Sequence, residues 1–312
     1  MILAAATAAN ASSGAVQFKQ ARPFRHLVLE DFFETAFLQR LLAEFPAFER
    51  GNARNEAGEL GAKSVVEQIA KLGPAFAELD ALIQSSEFLG LVGTLTGIED
   101  LRYDPEYFGG GTHENRSGQD LDPHVDFNHH PLTGWHRRLN LIVYLNPRWE
   151  GDWGGGLELH SDPRAGLDDQ VTVIQPLMNR CVIFETTESS WHGFSRISFP
   201  DGVEPRSRRS IALYFYTQTR PAEELAPAHS TIYVDRPLPR QIQAGHTLDS
   251  GDFAQVQTLL ARRDQHIERL YRDIGALRQE LESARTRLRM GAWAQLAHYL
   301  RRALAILRVD RK

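Results

Sequence analysis

Cysteine is almost absent: there is one in 312 residues, Cys181. No disulfide can form within the chain, and the composition fits a reducing compartment such as the cytoplasm. Long apolar runs are missing too. No stretch approaches the ~18 consecutive apolar residues of a membrane-spanning helix. There is no cationic excess, since 35 Lys and Arg stand against 40 Asp and Glu for a net charge of −5. That argues against a surface built for phosphate backbones and predicts no nucleic-acid partner. The opening residues, MILAAATAANASSG, lack the basic region of a signal peptide, so 1–21 read as a disordered lead. The middle of the chain shows no alternation of strands with long helices, which excludes a doubly wound α/β fold.

What is present is an ordinary globular composition, 42% hydrophobic and 24% charged. That is enough for a sizeable core. Residues 22–100 read as helical support. In FFETAFLQRLLAEF, Phe33, Phe37, Leu41 and Phe45 share one helical face, and Pro46 ends the run. GNARNEAGEL (51–60) is a polar loop. VVEQIAKL and FAELDALI continue the helical period on either side of Gly73-Pro74. From 101 to 217 the pattern changes to short strands with Gly, Pro and Asn-Pro between them: RRLNLIVYLN, GGGLELH, VTVIQP, RCVIFET and RRSIALYFYT. This spacing predicts an antiparallel sandwich or barrel. The Gly-rich 109–118 stretch reads as a surface loop or a lid. Residues 218–252 are a surface excursion and linker.

The C-terminal part is different again. Leu260, Ile267, Ile274, Leu281 and Leu288 occupy the a positions of a heptad, with Arg263, Leu270, Leu277 and Ala284 at d. Asp273 and Glu280 at g face Arg278 and Arg285 at e, which are attractive pairs in a parallel dimer. A coiled-coil helix over 253–290 and a homo-oligomer are expected. Residues 291–312 read as a basic amphipathic helix that lies on an anionic membrane surface or docks on a partner. The charge supports a separate role for this end. Arg285–Lys312 carry eight cations and Asp310, or +7, which leaves −12 for residues 1–284.

The chemistry gathers in the strand-rich region. In HVD (124–126), His124 and Asp126 fall on one face of an extended segment, where an imidazole and a carboxylate can bind one metal ion. Alone, this pair is equally readable as structural. His192, in SSWHGFSRI, lies far downstream and would close the set from another strand. Two histidines and a carboxylate form the facial triad of non-haem Fe(II) oxygenases. In RRSIALYFY one face carries Arg208, Ser210, Ala212, Tyr214 and Tyr216, while Ile211, Leu213 and Phe215 of the other are apolar. In RRLNLIVYL, Leu139, Leu141, Val143 and Leu145 alternate with Arg138, Asn140, Ile142 and Tyr144. Polar groups inside a barrel need partners. Arg208 could fork a carboxylate, with Ser210 and Tyr144 adding hydrogen bonds. His129 and His130, in DFNHHP, read as neighbours of the site rather than ligands.

As a set, HVD, RRLNLIVYLNPRWEGDWGGGLELH, VIQPLMNRCVIFE, WHGFSRI and RRSIALYFYT, in that order, resemble the Fe(II)/2-oxoglutarate-dependent dioxygenases, in their prolyl-4-hydroxylase-like branch. PFRHLVLEDFF resembles the usual lead-in, so the likeness covers roughly 24–217. It implies a mainly β fold, a double-stranded β-helix or jelly roll, as a domain over 22–217. It also implies His124, Asp126 and His192 as ligands of Fe(II). Arg208, Ser210 and Tyr144 would hold 2-oxoglutarate as co-substrate, with ascorbate as a reductant. The activity implied is hydroxylation of an unactivated C–H with release of succinate and carbon dioxide. A peptidyl proline, a glycan and a small molecule all remain open as substrate. The alternative is a jelly-roll metal- or sugar-binding module without redox chemistry.

Overall fold

The computed structural model describes residues 2–9, 11–51, 63–239 and 241–289. The basic helix expected over 291–312 lies outside them, as does nearly all of the polar loop at 51–60. The chain divides into two compact units, Met1–Pro237 and Leu238–Lys312.

In the first unit the helices are α1 (Ala5–Ala9), α2 (Ala11–Gln20), α3 (Thr35–Glu44), α4 (Pro74–Gln84) and α5 (Ser86–Thr96). The strands are β1 (His26–Leu29), β2 (Ser64–Val66), β3 (Arg102–Tyr103), β4 (Gly111–Asn115), β5 (Leu121–Val125) and β6 (His136–Tyr144). They continue as β7 (Leu157–His160), β8 (Val171–Ile174), β9 (Cys181–Glu185), β10 (Trp191–Phe194), β11 (Arg208–Thr217) and β12 (Ile232–Tyr233). Among the described residues the strands make two antiparallel sheets. The larger runs β1-β9-β6-β11-β4-β2 with β3 beside β11, and the smaller runs β12-β5-β10-β7-β8. Folded face to face, they form the jelly roll.

Period-2 alternation explains how the sheets are covered. Leu139, Leu141 and Val143 of β6, with Ile211, Leu213 and Phe215 of β11, join one core with the helical residues Phe37, Leu41, Phe76 and Phe88. Each such side chain contributes ~1.5–3 kcal/mol when fully buried. The opposite faces meet between the sheets, where Tyr144, Leu157, Leu159, Val182 and Phe184 form a second core. Helix α3 ends before Pro46, as its sequence demands. Its last residue, Glu44, accepts a hydrogen bond from the Ala75 amide at 2.8 Å. A carboxylate there satisfies an amide that the first turn of α4 leaves open.

Four expectations are corrected. The 1–21 segment is not a disordered lead. Residues 5–9 and 11–20 are helical, and Phe18 is buried at 1% exposure in the helix-side core. VVEQIAKL is not helical; it supplies most of β2 and a short 3-10 turn at Ile69–Lys71. The Gly-rich stretch at 109–118 is neither a free loop nor a lid, since Gly111–Asn115 is β4, paired with both β11 and β2. Residues 218–252 are more than an excursion, because β12 joins the edge of the smaller sheet beside β5.

The second unit contains α6 (Ser250–Arg289), a helix of 40 residues. Asp249 caps it, accepting from the Asp252 amide at 2.8 Å. Its heptad a positions are open to solvent, with Leu260 54%, Ile267 49% and Leu281 50% exposed. Among the described residues, no helix is long and apolar enough to cross a membrane.

Candidate active site

Pairing of β5 with β10 sets His124 directly opposite His192. Gly193 makes this possible, since a Cβ there would lie 2.6 Å from the Leu121 carbonyl oxygen. The two ring centroids stand 4.3 Å apart. Asp126 follows β5 and completes the group. Ligand atoms of His124, Asp126 and His192 all lie within 4.8 Å of one another. The His124 Nε2 is 3.7 Å from Asp126 Oδ1, and the His192 Nε2 is 3.5 Å from Asp126 Oδ2. Donors held cis at ~2.1 Å from one ion are ~3 Å apart, so this spacing fits a metal after small side-chain movements.

The ring nitrogens are already sorted. Nδ1–H of His124 donates to the Asp122 carbonyl at 2.9 Å, and Nδ1–H of His192 donates to the Ser190 carbonyl at 2.9 Å. Both Nε2 atoms are thereby left as acceptors facing the centre. Burial pushes His124 down to about 3 and also lowers His192, so both rings are neutral and able to ligate. Burial works the other way on Asp126, but the Arg137 guanidinium and the hydrogen bond from Asn140 hold the carboxyl well below its usual range. An ionised carboxylate between two neutral imidazoles is the protonation pattern a divalent cation requires.

Arg137 is a residue the sequence pattern missed. Simple alternation puts Arg138 on the inner face of β6. The ladder with β11 slips after Phe215, so that Phe215 faces Leu139 but Tyr216 faces Arg137. This irregularity turns Arg137 inward and sends Arg138 to Glu185 and Glu224. Arg137 is 1% exposed. It lies between the rings of Phe127 and Tyr214, 4.4 Å and 3.7 Å from their centroids, where the ring faces attract the cation. Its Nη2 is 3.1 Å from Asp126 Oδ2, which also accepts from Asn140 Nδ2 at 2.8 Å. Both partners orient the carboxylate from behind. Tyr233 was also missed. Strand β12 lays its ring 5.1 Å from that of His124.

The second predicted set also converges. Ser210 and Tyr144 are register partners across β11 and β6. Arg208 Nη2 donates to the Tyr144 hydroxyl at 3.3 Å, and its Nε donates to the Gly155 carbonyl at 2.6 Å. The glycine run before β7 permits that approach. Gly154 has a φ of +67°, and a Cβ there would sit 2.1 Å from the Arg196 carbonyl oxygen. Only glycine takes that conformation in that space without strain. Phe194 stacks 4.3 Å from the guanidinium. Arg208 is 5% exposed, and among the described residues no carboxylate pairs with it. Burial lowers its pKa, with Tyr144 opposing. A buried, unpaired guanidinium is costly unless an anion arrives. The residues present therefore fit a small dicarboxylate inside the barrel. His129 and His130 lie outside the triad. His130 pairs with buried Asp104 at 3.1 Å, and His129 bridges to His136.

Residues 110–216 match the sequence model of the 2OG-Fe(II) oxygenase superfamily. The matched segment is about a third of the chain, and His124, Asp126, His192, Tyr144, Arg208 and Ser210 all fall inside it. The chain is 31% identical over 140 residues to the prolyl 3-hydroxylase OGFOD1 of Mus musculus, a match covering 40% of this chain and 23% of that protein. The matched region thus spans about a quarter of the length of this curated relative. Among solved structures, the chain is similar to a prolyl hydroxylase of Trichoplax adhaerens in complex with a hypoxia inducible factor peptide fragment. The TM-score is 0.48 with 16% identity, covering 67% of this chain and 90% of that one. It is also similar to HygX of Streptomyces hygroscopicus with nickel and 2-oxoglutarate bound. There the TM-score is 0.42 with 13% identity, covering 66% of this chain and 91% of that one.

Proposed function

We propose that this protein is a 2-oxoglutarate-dependent dioxygenase that hydroxylates an unactivated C–H and releases succinate and carbon dioxide. The observation that carries the reading is the pairing of two incomplete sites in one barrel. One is a preformed set of two neutral imidazoles and a carboxylate. The other is a buried Arg208 without an acid. A sugar-binding barrel has no need of the second. His124, Asp126 and His192 would hold Fe(II). Arg208, Ser210 and Tyr144 would hold the distal carboxylate of 2-oxoglutarate. When bound, the iron and the keto acid supply the oxidising chemistry.

The chain's own contribution is positional and electrostatic. Asn140 and Arg137 fix the Asp126 carboxylate, and the Asp122 and Ser190 carbonyls fix the imidazoles. Phe184, 4.7 Å from the His192 ring, and Tyr233 against His124 exclude water from the flanks. No side chain is required as a general base. For substrate we propose a prolyl residue in a peptide, supported by the mouse relative. The decisive experiment incubates the full chain with Fe(II), 2-oxoglutarate, ascorbate and proline-containing peptides, and follows succinate together with the mass gain of one oxygen atom. Wild-type protein yields both, and His192→Ala yields neither and no longer retains iron. Unchanged iron stoichiometry in that variant would refute the ligand assignment.

For assembly, we propose a parallel homodimer through α6, supported by its solvent-open a and d positions and by the complementary Asp273–Arg278 and Glu280–Arg285 pairs. A cytoplasmic location is the accompanying proposal, with 291–312 as a peripheral membrane contact.

A further inference from the structure

A groove of about 450 Å³ lies outside the metal site, whose ligands are not among its lining residues. One wall is the end of α2 and the segment after it, with Lys19, Arg22, Phe24 and Arg25; the other is the turn at 186–190 with Thr187 and Ser189. This turn also positions the metal site. Ser190 Oγ accepts from the Thr187 amide at 2.8 Å, and the Ser190 carbonyl holds His192 Nδ1 at 2.9 Å. Phe24 links the groove to the centre. Its ring is 6.1 Å from Phe184, which is 4.7 Å from His192. These two steps put the Phe24 ring within about 11 Å of the His192 ring, roughly three residues of extended chain at ~3.3 Å each.

The charges here do not cancel. Glu185 is held between Arg25 at 3.3 Å and Arg138 at 3.4 Å. Glu224 is held by Arg138 at 3.4 Å and Arg220 at 3.0 Å. Two carboxylates therefore serve three arginines. Lys19 and Arg22 add two cations with no carboxylate partner among the described residues, and the Arg22 guanidinium donates to the Gln20 and Ala21 carbonyls. Among the lining residues three cations, Lys19, Arg22 and Arg25, face the carboxylates of Glu185 and Glu224 for a net +1, in a first unit whose overall charge is negative, and buried Arg138 and Arg220 neutralise those two carboxylates from behind. The Thr187 and Ser189 hydroxyls provide neutral donors opposite.

We infer that this groove is a substrate subsite for an acidic side chain, so that the oxygenase selects peptides bearing Asp or Glu about three residues from the modified position. This rests on the peptide reading above. Its volume suits one or two side chains on an extended strand, with Phe24 packing under their methylenes and the cations reaching the carboxylates.

Fluorescein-labelled peptides EEAAPAAEE, QQAAPAAQQ and KKAAPAAKK provide the probes. Each is titrated by anisotropy against the full chain at low salt. The acidic peptide is expected to bind at least 10-fold tighter than the neutral one. In the double variant Lys19→Glu, Arg22→Glu, neither residue belonging to the core, that preference should vanish and the Lys peptide should gain. Equal binding of acidic and neutral peptides to the wild type, or an acidic preference retained in the double variant, overturns the subsite. Iron retention and peptide-independent succinate release are measured in parallel. If these are present while charge preference is absent, the subsite fails alone; if they are absent from the wild type, the oxygenase reading fails whatever the peptides do.

Discussion

Asp126 shows how much of this site depends on residues that touch no substrate. Its Oδ2 accepts from Asn140 at 2.8 Å and lies 3.1 Å from Arg137, which turns the carboxylate and keeps it ionised. Partners behind a metal ligand commonly change affinity about 10–100-fold when lost. Arg137→Met, which keeps the stem between Phe127 and Tyr214, should weaken Fe(II) binding by about that factor while circular dichroism stays native. Unaltered affinity in a metal titration would reduce Arg137 to a packing role. Arg208 makes a separate prediction. Deleting a bidentate partner in a buried pocket costs roughly 2–5 kcal/mol, so Arg208→Ala should weaken 2-oxoglutarate at least ~30-fold with iron still retained. Arg209→Ala should not, because Arg209 is 40% exposed and faces Glu114 on the other side of the strand. The opposite result would mean that the alternation on β11 is out of phase by one residue.

At the scale of elements, β10 and β7 carry the sharpest constraints. Gly193 allows β10 to lie against β5, and an added Cβ would approach the Leu121 carbonyl to 2.6 Å. Overpacking of this kind costs ~1–3 kcal/mol. Gly193→Ala should lower the melting temperature by roughly 2–10 °C and weaken metal binding, since His192 is the adjacent residue. A variant with unchanged melting and metal affinity would show that β10 shifts freely. On β7, His160 lies between Asp169 at 2.6 Å and Glu158 at 3.6 Å. Burial alone would lower its pKa, but the Glu158 and Asp169 carboxylates outweigh it and raise it above 6.5. A raised folded-state value means that the charged form stabilises the fold. This contribution is full below pH ~6.5 and is lost as pH climbs through the folded value. Urea midpoints of the wild type should therefore fall across that window, and Asp169→Asn should flatten the slope. A slope that persists in the variant assigns the titration elsewhere.

For the molecule as a whole, the homodimer proposed through α6 is what would bring two oxygenase domains together. The a and d residues of α6 are half exposed or nearly so along much of the helix, including Leu270 at 47% and Leu277 at 63%. A lone 40-residue helix with such a stripe gains stability by burying it against another helix. Light scattering on the full chain should give twice the 35.2 kDa monomer mass. The double variant Ile267→Glu, Ile274→Glu should give the monomer mass with succinate release intact. A wild-type monomer would dismiss the coiled coil, and a dimeric variant would place the interface elsewhere.

Sequence alone determined the strands that alternate strictly and the residues placed on them. On β6 and β11, period 2 separates helix-facing Leu139, Leu141 and Phe215 from inward Tyr144, Arg208 and Ser210, because burial on one face of a pleated strand is a local property of the chain. His124, Asp126 and His192 were legible for the same reason, as chemistry-bearing residues at positions whose phase could be read. The tertiary structure decided what depends on partners distant in the chain. Arg137 faces inward only because the β6–β11 ladder slips at Phe215. Tyr233 reaches His124 only because β5 offers an edge to β12. Gly111–Asn115 is a strand only because β2 and β11 supply its hydrogen bonds, and the Ala-rich start is ordered only because a core accepts Phe18. Register slips, edge pairing and docking of short helices are energies between segments, and no local window of sequence contains both sides of such an interaction.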